Sequence, residues 1–214
     1  MKRTGLCIAG ALALAWSLPS EATLINYGSS THDTATGLEW LDVNLTSGLT
    51  YNSVLNDAGG FITDGWRYAT GAEIDALAGR YIGSPEETFS GGLDFIETLI
   101  MIGLLEPTFE RSFVPGITGQ SLTIATLGYY DDETGGSRVG LAEFMVNVLV
   151  PAPGFGDSFT GRWTTFDDFL APNTLAPQIG SFLVRSTSVP EPGTMGLLSI
   201  GLLALVFARR NARK

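Results

Sequence analysis

The sequence predicts a single α+β domain between two apolar end segments, with helices in its first half and antiparallel strands in its second. Capped runs with apolar residues three and four positions apart mark helices before residue 106. Alternating apolar and polar residues mark strands after residue 120. The composition, with 27 glycines, 10% aromatic residues and only 16% charged residues, is typical of a folded, loop-rich domain.

The first 22 residues have the three parts of a signal peptide. Two basic residues precede an apolar run from Leu6 to Leu18, and Ser20 and Ala22 place small side chains at a cleavage site. We therefore expect the secretion translocon and signal peptidase as partners. Because Cys7 is the one cysteine of the sequence, the mature protein would have no disulfide and no thiolate metal site.

The domain is predicted to begin with two strands and a helix. The strands lie at 24–27 and 38–42, and Asp, Thr and Gly residues predict a turn between them at 32–37. The helix begins after Thr50, whose hydroxyl group suits an N-cap, and ends at the glycine pair 59–60.

Two further helices are expected before residue 106. The first has Thr70 at its N-cap and Glu73 three residues later, which is the spacing of a capping box. The second is predicted from Leu93 to Leu105. Its predicted apolar stripe consists of Phe95, Leu99 and Ile102.

The second half of the domain is predicted to be antiparallel sheet. Residues 121–130 and 138–150 form a long hairpin across the acidic, glycine-rich turn 131–136. Further strands are predicted at 161–166 and 181–186.

The end of the chain is predicted to be a membrane anchor. Residues 193–208 carry no charged side chain, and as a helix they would span about 24 Å of the ~30 Å hydrocarbon core. Local thinning of the bilayer and snorkelling side chains accommodate the difference. The basic cluster that follows, at 209–214, predicts a cytoplasmic C-terminus and an external domain. It consists of Arg209, Arg210, Arg213 and Lys214.

The tripeptide Pro190, Glu191, Pro192 separates this anchor from the domain at 23–189, because proline disfavours helix in the residue before it. The order V-P-E-P-G-T from Val189, apolar segment and basic cluster resembles the PEP-CTERM sorting signal of Gram-negative bacteria, and the predicted signal covers 190–214. The resemblance implies that an exosortase in the inner membrane recognises the Pro-Glu-Pro region and removes the anchor. The body, held transiently at the inner membrane, would then reach the cell surface or the extracellular matrix of a biofilm.

The domain itself is strongly acidic. Residues 23–189 contain six arginines, no lysine and twenty acidic residues, which gives a net charge of about −14. Such a surface repels nucleic acid and anionic headgroups, so we expect no nucleic-acid partner.

Three short segments of the domain are D-T-A-T-G-L-E-W-L at 33–41, G-W-R-Y-A-T-G-A-E-I-D-A-L at 65–77 and F-L-V-R-S at 182–186. Together they resemble a bacterial extracytoplasmic domain of the Lcl C-terminal type, found in some collagen-like adhesins. Family members carry T-G-L-x-W, then W-R-L-P-T-x-x-E-L, and end near V-R-x-V-R. The resemblance implies a C-type-lectin-like fold and, in some members, polysaccharide binding. Tyr68 and Ala69 depart from the family's Leu-Pro, and Ser186 replaces its terminal Cys. The matching positions are Thr36, Gly37, Leu38, Trp40, Trp66, Arg67, Thr70, Glu73, Leu77, Val184 and Arg185.

Each of these residues also has a structural interpretation. Trp40 and Trp66 suit the core, and Arg67 suits an ion pair with Glu73 or Asp75. If polysaccharide binds, an exposed aromatic ring would stack on a sugar face. The predicted stacking residues are Tyr68, Tyr129 and Tyr130.

Calcium is the one cofactor that the sequence leaves open. Two acidic groups offer oxygen ligands, although neither has the spacing of an EF-hand and acidic turns are usually solvated. The first group is Asp131, Asp132 and Glu133; the second is Asp157, Asp167 and Asp168.

No enzyme template is complete in this sequence. The one histidine, His32, is interpreted as a solvated turn residue, and no G-x-S-x-G, P-loop or H-E-x-x-H segment occurs. We expect a binding component of the surface or matrix, without catalytic residues. The alternative is a carboxylate-based glycoside hydrolase that uses Asp64 and Glu73, and a purely structural matrix protein is a third hypothesis.

Overall fold

A computed structural model describes residues 22–83, 89–90, 93–113, 119–133, 138–151 and 158–187. The helices are α1 (Tyr51–Leu55), α2 (Gly71–Tyr81) and α3 (Leu93–Leu105), and a 3₁₀ helix covers Val43–Thr46. The strands are β1 (Leu24–Asn26), β2 (Ser30–Asp33), β3 (Leu38–Leu41), β4 (Arg67–Tyr68), β5 (Phe89–Ser90), β6 (Phe109–Phe113), β7 (Gly119–Tyr130), β8 (Val139–Pro151), β9 (Ser158–Leu170), β10 (Gly180–Ser181) and β11 (Leu183–Ser186). The described part is mostly β-sheet with some helix, in agreement with the predicted α+β class.

The first sheet is antiparallel and has the strand order β1-β2-β3-β11-β4. The prediction of a turn at 32–37 is wrong in part, because Ser30–Asp33 forms β2 and pairs with β3 along its whole length. The turn is confined to 34–37, where Gly37 takes a positive φ of 71° that suits glycine. His32 therefore lies in a strand, opposite Glu39.

The second sheet has the order β10-β7-β8-β9-β5, and β6 pairs with the free edge of β7. The predicted long hairpin is confirmed as β7 and β8, which pair in register from Gly119 opposite Pro151 to Tyr130 opposite Gly140. Strand β9 is longer than predicted. A register shift between Val139 and Leu141 accommodates the irregular end of β9.

The strand predicted at 181–186 is confirmed except at Phe182, where the chain changes sheets and divides it into β10 and β11. The N–H of Phe182 donates to Tyr129 O in the second sheet at 2.9 Å, and its carbonyl accepts from Ala69 N beside the first sheet at 2.9 Å. Before this point β10 runs parallel to β7, and after it β11 runs antiparallel to β3. Phe182 thus joins the two sheets through its backbone while its ring is buried in the core.

The helices follow their capping signals. Thr50 Oγ1 accepts from Ser53 N at 3.1 Å, and α1 ends earlier than predicted, at Leu55. The capping box of α2 is confirmed, with Thr70 and Glu73 each accepting the other's backbone N–H.

The predicted bounds of α3 are confirmed, but its apolar stripe is wrong at Leu99, which is exposed. Because α3 is apolar on nearly all sides, the spacing of its apolar residues does not show which side faces the core. The buried face consists of Thr98, Met101, Ile102 and Leu105.

Two clusters of buried side chains hold the domain together. The larger lies where α2 and α3 meet both sheets, and the smaller lies beneath α1 and the end of the first hairpin strand β7. Trp40 belongs to the larger and Trp66 to the smaller, so the interpretation of both as core residues is confirmed. These clusters fix the first sheet against the second.

The predicted signal peptide, apart from Ala22, and the predicted anchor lie outside the described residues. Among the residues that are described, no helix combines the length and the apolar character needed to cross a membrane.

Candidate functional site

The three segments that carried the lectin-like resemblance meet in the first sheet. Strand β11 lies between β3 and β4, with Val184 opposite both Trp40 and Arg67. Sequence positions more than a hundred residues apart are thereby placed side by side. Their outward side chains form a charged and aromatic surface.

Arg185 organises the middle of this surface. Its Nε donates to Glu39 Oε2 at 2.8 Å, and its guanidinium carbon lies 4.3 Å from the centre of the Trp66 ring. Ser30 Oγ donates to the other oxygen of Glu39 at 2.5 Å. The hydrogen bond from Arg185 lowers the pKa of Glu39 and outweighs the effect of burial, so Glu39 is an ionised structural carboxylate.

The single histidine lies at the other side of the same surface. His32 Nε2 shares a 3.0 Å hydrogen bond with Thr187 Oγ1, and its ring stacks on Tyr27 with centroids 6.3 Å apart. Tyr27 is 61% exposed. The interpretation of His32 as a solvated turn residue is therefore wrong, because the side chain is held between two partners on a strand.

A cleft of about 400 Å³ opens beside Trp66, where α1 and β4 approach the end of β7. Tyr51 forms an aromatic wall, stacked on Tyr68 with ring centroids 4.0 Å apart, while Arg67 and Asp131 add charged groups. The remaining lining residues are Leu55, Ile62, Trp66 and Thr70. The cleft therefore combines an apolar wall with a hydrogen-bond donor, Arg67, and a hydrogen-bond acceptor, Asp131.

Arg67 is held at the rim of this cleft by hydrogen bonds to two partners, the Glu73 carboxylate and the Tyr68 carbonyl. Its Nη1 donates to Glu73 Oε2 at 2.8 Å and to Tyr68 O at 2.9 Å, and its Nη2 donates to Glu73 Oε1. The predicted pairing of Arg67 with Glu73 is confirmed. The guanidinium is half exposed, so it keeps donor groups for a ligand.

The prediction of sugar stacking on three tyrosines is wrong, because all three rings are buried. Tyr68 is 5% exposed, and Tyr129 and Tyr130 are 0% exposed. Their hydroxyl groups are also engaged: Tyr68 with Tyr51 O and Ser181 Oγ, Tyr129 with Thr174 O, and Tyr130 with Asp167. The three rings therefore pack in the core, and their hydroxyl groups form hydrogen bonds inside the domain.

Tyr51 is the aromatic residue that the sequence did not single out. Burial, with smaller effects from the charges of Asp131 and Asp132, raises the pKa of Tyr51 to about 12, so the hydroxyl stays protonated at neutral pH. From the sequence, Tyr51 is only the first residue of a helix that follows the Thr50 cap. Its position in a cleft depends on β4 and on the end of β7, which come later in the chain.

The acidic turn after β7 is shaped by its own hydrogen bonds. Asp131 Oδ1 accepts from Glu133 N at 3.1 Å, and Asp132 Oδ2 accepts from Asp168 N at 2.9 Å. Within the ranges that the structure describes, no three acidic, histidine or cysteine side chains are grouped to hold a metal ion. Asp157 lies outside these ranges, and calcium binding stays a prediction.

The proposed acid pair of Asp64 and Glu73 has unequal surroundings. Asp64 is exposed in the turn before β4. Glu73 accepts from Thr70 N at 2.9 Å as well as from Arg67, and these hydrogen bonds lower its pKa. A general acid needs a raised pKa, so the observed contacts favour a capping role for Glu73.

One buried carboxyl group was not anticipated from the sequence. Asp42 follows β3 and is 3% exposed, and its Oδ1 has no hydrogen-bond partner among the described residues. Burial, and then the charge of Glu106, raise the pKa of Asp42 to about 6. No local pattern marks this residue, because the neighbouring Glu106 is placed there by the end of α3.

Comparison with known proteins identifies the end of the chain. The sequence family described as the PEP-CTERM protein-sorting motif matches residues 188–214. No curated protein and no solved structure matches the chain, so the lectin-like resemblance has no support from these comparisons. The match confirms the predicted sorting signal and indicates an exported protein that an exosortase targets for the cell surface.

Proposed function

We propose that the body of this exosortase-targeted protein binds a neutral extracellular polysaccharide in the cleft formed by Tyr51, Arg67 and Asp131. The observation that carries the proposal is the combination of an aromatic wall with an exposed guanidinium and an exposed carboxylate in one concave site. Sugars present an apolar ring face bordered by hydroxyl groups, which such a site complements. The cleft volume of about 400 Å³ also lies in the usual range for small-ligand sites.

The charge of the domain favours a neutral glycan over an acidic one. The net charge of about −14 over residues 23–189 opposes the approach of a polyanion. Asp131 can accept hydrogen bonds from sugar hydroxyl groups, and Arg67 can donate to their oxygens. Neither interaction requires a charged ligand.

We propose for the two ends of the chain the roles that the sequence predicts. Residues 1–22 direct export and are removed, and residues 193–208 anchor the precursor in the inner membrane until the exosortase acts near Pro190. The basic cluster fixes a cytoplasmic C-terminus. We also propose that the body is related to C-type-lectin-like domains and that calcium can bind to it.

Binding of purified protein to a panel of neutral polysaccharides, followed by calorimetry, tests the function of the cleft. Tyr51→Ala is expected to weaken binding about tenfold, since it removes the stacking wall, and Asp131→Asn is expected to weaken it several-fold. Tyr27→Ala is the matched control, because Tyr27 is an exposed tyrosine in the turn between β1 and β2 and does not line the cleft. The control is expected to bind as the unaltered protein does.

Three outcomes separate the candidate functions. Equal affinities for the Tyr51 and Tyr27 variants would contradict the cleft proposal. New reducing ends that disappear in Asp64→Asn or Glu73→Gln would favour the glycoside hydrolase. Neither binding nor turnover across the panel would favour a purely structural matrix protein.

A further inference from the structure

Helix α3 exposes a run of large apolar side chains. Ile96 is 50% exposed, Leu99 is 40% exposed and Ile100 is 55% exposed, and their spacing of three and four residues places them on one side of the helix. The opposite side is buried in the core. We call Ile96, Leu99 and Ile100 the α3 face. Contiguous exposed apolar surface of this kind marks an interaction site more often than a scattered leucine does.

An apolar groove of about 370 Å³ adjoins the α3 face. It lies between α3 and the start of β1, and Ile100 lies on its α3 side. Glu97 is the one charged residue that lines it. The other principal lining residues are Thr23, Leu24, Tyr81 and Leu104.

Hydrogen bonds connect this groove to the point where the chain leaves the domain. Thr23 and Thr34 exchange hydrogen bonds, with Thr23 N donating to Thr34 Oγ1 at 2.8 Å and Thr34 N donating to Thr23 O at 3.0 Å. Gly37, at the other end of the same four-residue turn, accepts from Thr187 N at 3.0 Å and from Thr187 Oγ1 at 2.9 Å. The groove and Thr187 therefore lie at the same end of the first sheet.

The chain from Thr187 to the anchor is short. Residue 193, the first of the apolar segment, is six positions after Thr187, so the two are at most about 21 Å apart even with the chain fully extended. While the anchor is in the bilayer, the end of the first sheet that holds Thr187 must stay within about 21 Å of the point where the chain enters the membrane. The turn 34–37 at this end has the uncharged sequence T-A-T-G, in contrast to the acidic domain as a whole.

We propose that the α3 face lies in the interfacial region of the inner membrane as long as the C-terminal anchor is intact, and leaves it when the exosortase removes the anchor. The occupant of this apolar surface is a lipid surface, because the short tether keeps this end of the domain near the bilayer. The neighbouring turn is uncharged, so the repulsion of the acidic domain by anionic headgroups is weaker here than over the rest of its surface. Isoleucine and leucine side chains gain free energy on entering the headgroup–acyl boundary. The inference rests on the proposed anchoring role of residues 193–208.

A fluorescent label that senses its distance from lipid tests the inference in the precursor without its signal peptide, from Thr23 to Lys214. This chain contains no cysteine, so Ile100→Cys takes a single nitrobenzoxadiazole label. The labelled precursor is inserted into vesicles of phosphatidylethanolamine and phosphatidylglycerol, with and without a lipid-attached quencher. Ile96→Cys is a second position on the α3 face, in case one label disturbs folding.

Leu175→Cys provides the matched control. Leu175 is 67% exposed and also apolar, but its loop is bonded through Ile179 O to Gly48 N, in the segment that follows the other end of β3. We expect at least twofold stronger quenching and a blue-shifted emission at residues 96 and 100 compared with residue 175. In a chain that stops at Val189 the difference is expected to disappear.

Flotation of the precursor with the vesicles separates failure of the anchor from failure of the inference. A precursor that does not float would overturn both the anchoring proposal and the membrane contact. A floating precursor with equal quenching at residues 100 and 175 would overturn the membrane contact alone. A blue shift at residue 100 that depends on protein concentration, without lipid quenching, would identify a second copy of the chain as the occupant of the α3 face. That result would also overturn the membrane contact.

Discussion

Replacing Asp42 by asparagine should stabilise the protein at neutral pH. The carboxyl group is buried after β3, its Oδ1 has no partner among the described residues, and its pKa is raised from 3.8 to about 6 by burial and by Glu106. The folded protein therefore favours the protonated form. The stability that protonation provides is fully present below about pH 4 and is lost as the pH rises through about 6.

The size of the effect follows from the raised pKa. A difference of about two pKa units, at about 1.4 kcal/mol each, gives about 3 kcal/mol as the largest penalty for the ionised group above pH 7. Asparagine has nearly the same shape and cannot ionise. We expect Asp42→Asn to raise the free energy of unfolding by about 2–3 kcal/mol at pH 8, and by little at pH 4.

Urea denaturation between pH 4 and pH 8 measures this difference. The two curves of unfolding free energy against pH should meet at low pH, separate above about pH 4 and stay a constant distance apart above about pH 6. Glu106→Gln should give a smaller gain, since Glu106 is the second cause of the raised pKa. Asp64→Asn, a change at an exposed acid, is the control and should follow the unaltered protein. An Asp42→Asn protein less stable than the unaltered protein at pH 8 would refute the reasoning.

Three further predictions, one of them with a control substitution, are tested by the free energy of unfolding. Thr70→Ala removes one half of the α2 capping box and should cost about 1 kcal/mol; an unchanged midpoint would show that the cap contributes nothing. Gly180→Ala should cost about 3 kcal/mol or more, because its Cβ would lie 2.0 Å from Val43 O, whereas Gly79→Ala on α2 has free space and should stabilise slightly. Asp33→Asn should cost about 3 kcal/mol through loss of its buried ion pair with an arginine of α2, and a stabilised variant would contradict that role.

Local signals in the sequence were sufficient to predict an element where the structure of that element depends on its own residues. The capping box at Thr70 and Glu73 located α2, and the acidic, glycine-rich turn located the hairpin of β7 and β8. The bounds of α3 were also predicted, because the helix is apolar from end to end. Its inner face was not, since that face depends on contact with β8 and β9.

The parts that were missed depend on distant partners. Strand β2 looked like a turn because its residues are polar, and it is a strand because β3 pairs with all four of them. Tyr129 looked exposed beside an acidic turn, but the later loop that contains Thr174 covers it. The candidate cleft combines α1, β4 and the end of β7, so Tyr51 could not be recognised from its own neighbours.

Because β11 lies between β3 and β4, the first sheet cannot be completed until this last strand is present. Within the described residues, strands β3 and β4 are joined through residues 183–186, which follow almost all of the domain in the sequence. Until then the inner edge of β3 is unpaired, and such edges promote association between chains. The exported chain therefore completes its first sheet late and through contacts of large sequence separation, which is a slow step. We expect nascent body to depend on periplasmic chaperones until its last strand arrives.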